Sequence, residues 1–532
     1  MTKNQIVNYK NASYTLLLLL IIFIAMTFKQ HGISNDEFVQ HTYGQLLLKW
    51  YTSGFKDQTA FHYVNLYLYG GFFDLIAAGL EKVTSLWVWD LRHLLTAIFG
   101  FFGFIAVYKI SVHIGGQRAG FFALVLLVLT APWSGAMFTH TKDIPFATCM
   151  AWALYYTVVA TRTLPKIPRS VSVKLGIALG CAVGLRIGAV FAVIYLLLTL
   201  MVVCLLERTD NHSKFKFLKE AIKALIPAAV VAFILMAIFW PWGVMSPDHP
   251  FEAIKTFSHF AFNMKTIDDR VVYSIGEVPR TYLLDYLSVK LPEVFLLGLA
   301  SFLVLFGFYR KLWWNQLAQD QHNAVFAVFI AVLFPIVFVL ATEPALYNGV
   351  RHFTFIIPPL AVLSALGIHF ALYVLSKSVK WTVTLWSVCV LMSVYTFTYL
   401  YTLHPYEYVY YNEIAGKRRL LKNEWEGDYW SSSLREAAKD LMSLPLAKRD
   451  KPYLVAVCAE DLQGSAYLDS RFKVTKDWVG ADFYMSSTNM HCDQVLQGTK
   501  IVEVKRRGLV LAVVKDRRML EGTARYPTPA PN

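Results

Sequence analysis

The sequence predicts a polytopic α-helical membrane protein that carries a small α/β domain at its C-terminal end. Hydrophobic residues make up 56% of the 532-residue chain and charged residues only 16%, and the mean hydropathy is +0.44. Soluble domains contain about 45–50% apolar and about 25% charged residues. Apolar runs of about 17–25 residues, long enough to cross a bilayer as helices, recur as far as residue 401.

Eleven segments are predicted to span the membrane. The basic residues Lys3 and Lys10 precede the first apolar run, as in a signal peptide. No small-residue cleavage site follows it, so we expect an uncleaved first span. By residue number, the predicted spans are 12–28, 92–112, 119–135, 144–161, 172–185, 188–206, 222–241, 291–309, 323–341, 353–375 and 381–401.

The lysine and arginine clusters predict the orientation. With these spans every cluster falls on one side of the membrane, which is the pattern of cytoplasmic loops. We therefore expect the N-terminus inside and the C-terminus outside. The net charge of +14 then reflects topology rather than nucleic-acid binding. The clusters are Lys3 and Lys10, Lys109 and Arg118, those within 162–174 and 208–223, Arg310 and Lys311, and Lys377 and Lys380.

Two segments test this topology. Residues 66–80 are short for a span and contain Asp74, so an interfacial helix with an aromatic face is the better interpretation. Residues 175–206 are too few for two full spans, each of which needs about 20 residues. The chain must therefore turn near 184–188, and Arg186 is expected at that turn, below the outer surface.

The chain is predicted to divide into two parts. Residues 1–401 form a transmembrane domain whose first outer loop, 29–91, carries the candidate site, and residues 402–532 form an aromatic segment followed by a small α/β domain. In the second part, Ser433 and Glu436 form a capping box that starts a helix. Strands are expected at 452–458, 481–487, 500–506 and 509–515, with a hairpin at Gly508 and a disordered tail at 526–532.

The cysteines separate in the same way. Cys458 and Cys492 lie in the polar C-terminal part, and whether they pair is left open. The other four lie in apolar segments, where cysteine behaves as a small packing residue. They are Cys149, Cys181, Cys204 and Cys389.

Two adjacent carboxylates, Asp36 and Glu37, follow the first span closely and are expected on the outer face. They are either an ordinary solvated pair or part of a site. Their position favours a site, because an ionised group at a membrane face is costly unless it is used or paired. One such carboxylate can act as general base toward an acceptor hydroxyl, while its neighbour orients the substrate or binds a metal.

Two further groups of charged residues are predicted on the outer face. Asp143 lies just outside the fourth span and is either an acid favoured by the helix dipole or a catalytic acid. Lys142 and His140 beside it are candidate phosphate ligands. Lys290 is either the partner of Glu293 on an entry turn or a phosphate ligand.

Two arginines also lie on the predicted outer face. Arg351, followed by His352, runs against the positive-inside trend, and either snorkels to the surface or grips a phosphate through its planar fork. Arg186 is the second candidate for this role. The aromatic and acidic stretches 404–419 and 424–430 suit an interfacial belt and could also stack on a sugar. Together these groups favour a lipid phosphate substrate.

These motifs, in this order, resemble the C-type membrane glycosyltransferases, and in particular bacterial members of the dolichyl-phosphate-mannose protein mannosyltransferase-like group. The resemblance runs from about residue 12 to 440. The motifs that carry it are DE at 36–37, KDIPFA at 142–147, GLRIG at 184–188, VKLPE at 289–293, YNGVRHFTFIIPPLAVL at 347–363, HPYEYVYYNEIAG at 404–416 and EGDYW at 426–430.

The resemblance implies a sugar donor linked to polyprenyl or dolichyl phosphate, an inverting transfer, and a first-loop acid as base. By match, Asp36 would be the base with Glu37 beside it, Asp143 the second acid, and Arg351 part of the phosphate-binding region. Some members use a divalent metal ion and others do not, and no ligand cluster in the sequence decides between them. The acceptor would be a protein, lipid or glycan of the cell envelope, and the protein would lie in a bacterial inner membrane with its site facing outward.

Two other functions compete with the enzyme. A transporter or flippase of lipid-linked saccharides would favour charges in mid-span and inverted repeats, whereas the charges here cluster at the outer ends of the spans. An inactive subunit of an envelope-assembly complex would not require the complete set of acids.

Overall fold

The computed structural model describes residues 8–206, 211–258, 264–413 and 424–527, and most of these residues are helical. The first helices are α1 (Tyr9–Thr27), α2 (Glu37–Thr52), α3 (Phe72–Glu81), α4 (Val88–Val128), α5 (Asp143–Ala160), α6 (Arg169–Val183) and α7 (Val190–Leu206). They are followed by α8 (Asn211–Phe239), α9 (His249–Ser258), α10 (Tyr282–Lys290), α11 (Glu293–Phe308), α12 (Gln319–Thr342), α13 (Ile357–Val374) and α14 (Val379–Leu403). Shorter helical turns connect several of them.

A helix occupies each of the predicted spans. The second and third spans lie together in α4, which is interrupted at Gly116, where φ is 72°, a conformation that glycine adopts readily. By length and composition, seven helices of the described ranges could cross a membrane, or eight if α10 and α11, bent by 118° at their junction, form one broken span. Helices α5 and α6, of 18 and 15 residues, fall outside that set.

The two ambiguous segments follow the sequence prediction in their local structure. Residues 66–80 contain a 3-10 turn and most of the ten-residue helix α3, which is too short to cross a bilayer. The chain turns between α6 and α7, and Arg186 lies in that turn with an extended backbone.

The helices pack around α13, most of whose side chains are buried. Close approach depends on small residues: a Cβ on Gly298 of α11 would meet Ser364 Oγ of α13 at 2.1 Å. Helices α8 and α14 lie at the periphery and expose large apolar side chains such as Phe233 and Leu391. That surface suits lipid, which is as apolar as these side chains.

Strands form two sheets. A hairpin of β1 (Lys265–Asp268) and β2 (Val271–Ser274) lies before α10. The C-terminal sheet contains β3 (Tyr453–Cys458), β4 (Phe472–Val474), β5 (Phe483–Ser487), β6 (Thr499–Arg506) and β7 (Leu509–Asp516), in the order β4-β3-β5-β7-β6. Strand β3 is parallel to β4 and β5, and β7 is antiparallel to β5 and β6. Helices α15 (Leu434–Ser443) and α16 (Asp461–Ser465) complete this part.

All four predicted C-terminal strands are confirmed, and so is the hairpin, whose turn places Arg507 and Gly508 at φ 49° and 85°. Strand β4 and the β1–β2 hairpin were not predicted. The capping box is wrong, although α15 begins where expected. The Ser433 hydroxyl instead donates to the Asp428 carboxylate, and Glu436 accepts hydrogen bonds from Tyr406 and Arg506. Contacts of Ser433 and Glu436 with other parts of the chain therefore take the place of the predicted capping box.

A disulfide joins Cys458 at the end of β3 to Cys492 in the turn after β5, and so decides the pairing that the sequence left open. The other four cysteines are free. Of the tail predicted to be disordered, residues 528–532 lie outside the described residues.

Candidate active site

Asp36 lies at the N-terminus of α2. The chain leaves α1, passes through a short turn and an extended stretch, and starts α2 at Glu37, so that Asp36 occupies the N-cap position. A helix N-terminus stabilises negative charge. The Asp36 side chain is 32% exposed, and its Oδ2 accepts a hydrogen bond from an Arg351 NH2 group at 3.1 Å. Asp36, the candidate base, is therefore partly accessible and is held by the Arg351 guanidinium.

Asp143 joins both candidate arginines. It is the first residue of α5, and its Oδ1 accepts a hydrogen bond from Arg186 in the α6–α7 turn. Its Oδ2 lies 3.8 Å from Arg351 Nε, in the 3-10 turn that leads into α13. The result is a chain of alternating charges, Asp36–Arg351–Asp143–Arg186, built from four separate parts of the sequence. We call this chain of side chains the charge row.

Both arginines keep an unused donor. The Nε–H groups of Arg186 and Arg351 are buried and have no hydrogen-bond partner among the described residues. An unsatisfied buried donor on a charged group is expensive. Two such donors beside each other point to an anion that both guanidinium groups would bind.

A third cation, Lys142, lies next to the charge row. Its ammonium is 4.2 Å from the centre of the Tyr69 ring. Burial lowers the pKa of Lys142 to about 8, so most of it is charged at neutral pH. The three cations exceed the two carboxylates, Asp36 and Asp143, by one charge, which suits a singly charged anion.

The arginines open onto a large apolar cavity of about 430 Å³. Most of its walls are aliphatic and aromatic side chains of α7, α9, α12 and the turn before α13, such as Phe191, Ile254 and Phe338. Its polar lining includes both arginines, Tyr69, Tyr347 and His352. A cavity of this composition fits a ligand that has an anionic head and an apolar chain.

Three of the predicted site residues lie elsewhere. Glu37 is fully buried with His93, whose Nε2 is 3.1 Å from Glu37 Oε1. His140 accepts a hydrogen bond from Trp430 Nε1 at 2.8 Å, and burial lowers its pKa to about 4. Lys290 donates to the Tyr408 carbonyl at 3.0 Å. Lys290 and His140 do line a second, much smaller cavity of about 10 Å³, together with Arg351.

A buried polar network behind α2 was missed by sequence analysis. Arg92 of α4 donates to Asp74 of α3 at 2.8 Å and to Gln40 of α2 at 3.4 Å, and Thr141 also donates to Gln40. Burial raises the pKa of the Asp74 carboxyl, because the loss of water outweighs the attraction of Arg92. The signal for this network was the adjacent pair Arg92 and His93 at the start of an apolar span.

The described side chains around the charge row do not form a metal-binding group. Within the described ranges, no three His, Cys, Asp or Glu side chains are grouped closely enough to hold one. The two carboxylates of the charge row contact arginine instead. We therefore assign no step to a metal.

The buried pair Arg92–Asp74 yields a stability prediction. Arg92→Leu leaves a buried carboxyl without its partner, and we expect the free energy of unfolding to fall by about 3–5 kcal/mol. The matched control is Lys476→Leu, which removes an exposed partner of Asp461 and should cost less than about 1 kcal/mol. Thermal denaturation of the purified proteins measures both, and equal losses would contradict a supporting role for the pair.

Comparisons with known proteins identify the fold. The sequence matches no family model and no curated protein. The structure resembles ArnT from Cupriavidus metallidurans bound to undecaprenyl phosphate, with a TM-score of 0.50, 13% identity, and coverage of 94% of this chain and 97% of that one. It also resembles the Archaeoglobus fulgidus oligosaccharyltransferase in its apo form, with a TM-score of 0.51, 12% identity, and coverage of 89% and 69%. The chain has the fold of the C-type membrane glycosyltransferases.

Proposed function

We propose that this protein transfers a sugar from a polyprenyl- or dolichyl-phosphate carrier to an acceptor hydroxyl at the outer face of a membrane. The observation that carries the proposal is the pair of arginines at an apolar cavity whose buried Nε–H donors have no partner among the described residues, with Arg351 also in contact with the partly exposed Asp36. The structure of ArnT bound to undecaprenyl phosphate supports the same donor class, since it has this fold. The narrower mannosyltransferase-like subgroup stays a prediction from the sequence.

The donor phosphate is proposed to bind Arg186 and Arg351. Each guanidinium has a planar fork that matches phosphate oxygens, and each has a free donor. The isoprenoid chain would lie along the apolar walls. A sugar phosphodiester carries one negative charge, which balances the excess cation that Lys142 brings to the site. Asp143 would orient both arginines, since it contacts each of them.

The chemistry assigned to Asp36 is general base catalysis. The carboxylate takes the proton of the acceptor hydroxyl as its oxygen bonds to the anomeric carbon, and the bond from that carbon to the phosphate oxygen breaks. The electron pair leaves with the lipid phosphate, whose charge the arginines stabilise. A single displacement of this kind inverts the anomeric centre. A phosphate that attracts Arg351 also loosens its contact with Asp36, so that donor binding would free the base.

Glu37 is proposed to position the loop rather than to react. Its Oε2 accepts a hydrogen bond from the Ser34 amide at 3.3 Å, and its carboxyl lies against His93. Both contacts fix the turn from which Asp36 projects. His352 lines the cavity beside Tyr347, with ring centres 4.5 Å apart, and would contact the donor.

The orientation is also part of the proposal. Eleven spans, with the N-terminus inside, place the charge row and residues 402–532 on the outer side of a bacterial inner membrane. The Cys458–Cys492 disulfide supports this arrangement, because disulfides persist in oxidising compartments outside the cytoplasm. The acceptor would then be a protein, lipid or glycan hydroxyl of the cell envelope.

The base assignment is tested by Asp36→Asn, which keeps the shape of the side chain and removes its basicity. We expect the release of undecaprenyl phosphate from a panel of undecaprenyl-phosphate hexoses and pentoses to slow by about 10²–10⁴-fold. Binding of undecaprenyl phosphate should persist. Asp57→Asn, in the same outer loop but paired with Lys49, is the control.

Normal turnover by Asp36→Asn would refute the assignment, and a larger loss in a folded Glu37→Gln variant would give the base role to Glu37. A wild-type protein that moves lipid-linked sugars across vesicles without transferring them would overturn the function itself in favour of a transporter.

The phosphate assignment is tested by Arg351→Lys and Arg186→Lys. Lysine keeps the charge but loses the paired donors, so the affinity for undecaprenyl phosphate should fall about tenfold or more in each variant. Arg351→Lys should also lower kcat, because this residue faces the departing phosphate. Arg449→Lys, at a carboxylate of the C-terminal sheet, is the matched control. Wild-type affinity and rate in both site variants would show that the arginines only support the fold.

The orientation is tested by labelling introduced cysteines in intact cells. An impermeant reagent should reach Lys56→Cys in the first outer loop and Lys476→Cys beside the C-terminal sheet. Lys216→Cys at the start of α8 should react only after permeabilisation. All three positions are exposed in the fold. Labelling of Lys216→Cys from outside would contradict the proposed topology.

A further inference from the structure

We infer that Gln463, in the C-terminal part of the chain, is a positioning residue that sets Asp36 against Arg351. The catalytic consequence rests on the function proposed above, but the mechanical one does not. Residues 31–35 lead directly into Asp36, and we call them the base loop.

The base loop makes most of its long-range hydrogen bonds with the C-terminal part, while the Ser34 hydroxyl donates to the Thr139 carbonyl at 3.1 Å. The His31 carbonyl accepts from Arg435 at 3.3 Å, and the Ile33 amide donates to the Tyr467 hydroxyl at 2.9 Å. Asn35 Nδ2 donates to the Tyr429 carbonyl at 3.2 Å. The packing is equally close, since a Cβ on Gly32 would come 2.1 Å from the Ser432 carbonyl oxygen. Residues about 400 positions away in the sequence therefore determine the path of this loop.

Gln463 is the central contact of this set. Its Nε2 donates one hydrogen to the Ile33 carbonyl at 2.6 Å and the other to the Trp430 carbonyl at 2.7 Å. The Glu460 amide donates to its Oε1 at 3.2 Å, which fixes the orientation of the amide. The side chain is only 1% exposed, so water does not replace these bonds. One buried amide thus joins the backbones of Ile33 and Trp430, where the two segments already pack against each other.

One of those segments leads into Asp36, and the other contacts its partner Arg351. Ile33 lies three residues before Asp36. The Trp430 ring contacts the Arg351 guanidinium, with its centre 4.5 Å from Arg351 Cζ. Gln463 binds the backbone carbonyls of both Ile33 and Trp430. It therefore sets the distance between the Asp36 carboxylate and the Trp430 ring, which the Arg351 guanidinium contacts. Small displacements of reacting groups cost large factors in rate.

Most of the donor cavity does not share this dependence. Its walls come mainly from α7, α9, α12 and the segment before α13, and Arg351 is the lining residue that the Trp430 ring contacts. Arg186 lies in the α6–α7 turn, and its partner Asp143 lies at the start of α5. Loss of the Gln463 contacts should therefore lower kcat while leaving the affinity for the donor nearly unchanged, whereas general damage to the fold would change both.

The test compares Gln463→Met with Gln497→Met in the purified full-length protein. Methionine has a similar length and no donors, and Gln497 is an exposed glutamine of the same C-terminal part. For Gln463→Met we expect kcat for undecaprenyl phosphate release to fall about 10–100-fold and undecaprenyl phosphate affinity to change less than threefold. Tyr467→Phe, which removes only the hydroxyl on Ile33, should lower kcat less. The double variant should lose less than the product of the two single losses, because both act on one loop.

A second measurement is independent of catalysis. Hydrogen exchange, followed by mass spectrometry, should speed up at least tenfold in peptides covering residues 32–37 of both Gln463→Met and Tyr467→Phe, while peptides of α5 keep the wild-type rate. Unchanged exchange in these peptides, or equal losses of rate and donor affinity, would overturn the positioning role. A wild-type protein without transferase activity would refute the proposed function, and the exchange result would still decide whether the C-terminal part holds the base loop.

Discussion

The arrangement of the candidate site depends on the charge row, Asp36–Arg351–Asp143–Arg186. A buried arginine without a carboxylate partner is strongly destabilising, most of all where water is scarce. Satisfying Arg351 requires α2 to begin beside the turn that leads into α13, and satisfying Arg186 requires α5 to begin beside the α6–α7 turn. The four helical ends are thereby drawn to one place. The same pairs leave two guanidinium donors unused, and these are the donors assigned to the proposed phosphate ligand.

Buried polar contacts on two sides support this row. Behind α2, the Arg92–Asp74 pair and Gln40 tie the first outer loop to α4. Toward the C-terminal part, Trp430 lies on Arg351, and Gln463 holds the base loop. Apolar walls then complete the cavity on the remaining side. The polar contacts orient the charged side chains through specific hydrogen bonds and ion pairs, whereas the apolar walls offer no directional contacts.

Much of the helical framework could be predicted from local patterns. Apolar runs located the spanning candidates, and alternation located the C-terminal strands, because burial of apolar surface acts on each segment separately. For the candidate site, some of the predicted residues meet in the structure and others do not. Asp36, Asp143, Arg186 and Arg351 were singled out for charges that a membrane face does not tolerate without a use, and they meet in the structure. Lys290 and His140 carried the same signal but contact the aromatic segment instead, since the sequence does not specify in which direction a side chain points.

The sequence by itself determined the class of the protein, the approximate positions of its helices and strands, and the residue types from which a phosphate-binding site can be built. These features follow from local composition and periodicity. Only the tertiary structure decided that Glu37 pairs with His93 while its neighbour Asp36 pairs with Arg351, that Ser433 binds Asp428 instead of capping α15, and that Gln463 reaches the loop before Asp36. Each of these outcomes is a contact between distant segments. Such contacts depend on how the helices and the sheet pack as whole bodies, and no short stretch of sequence contains that information.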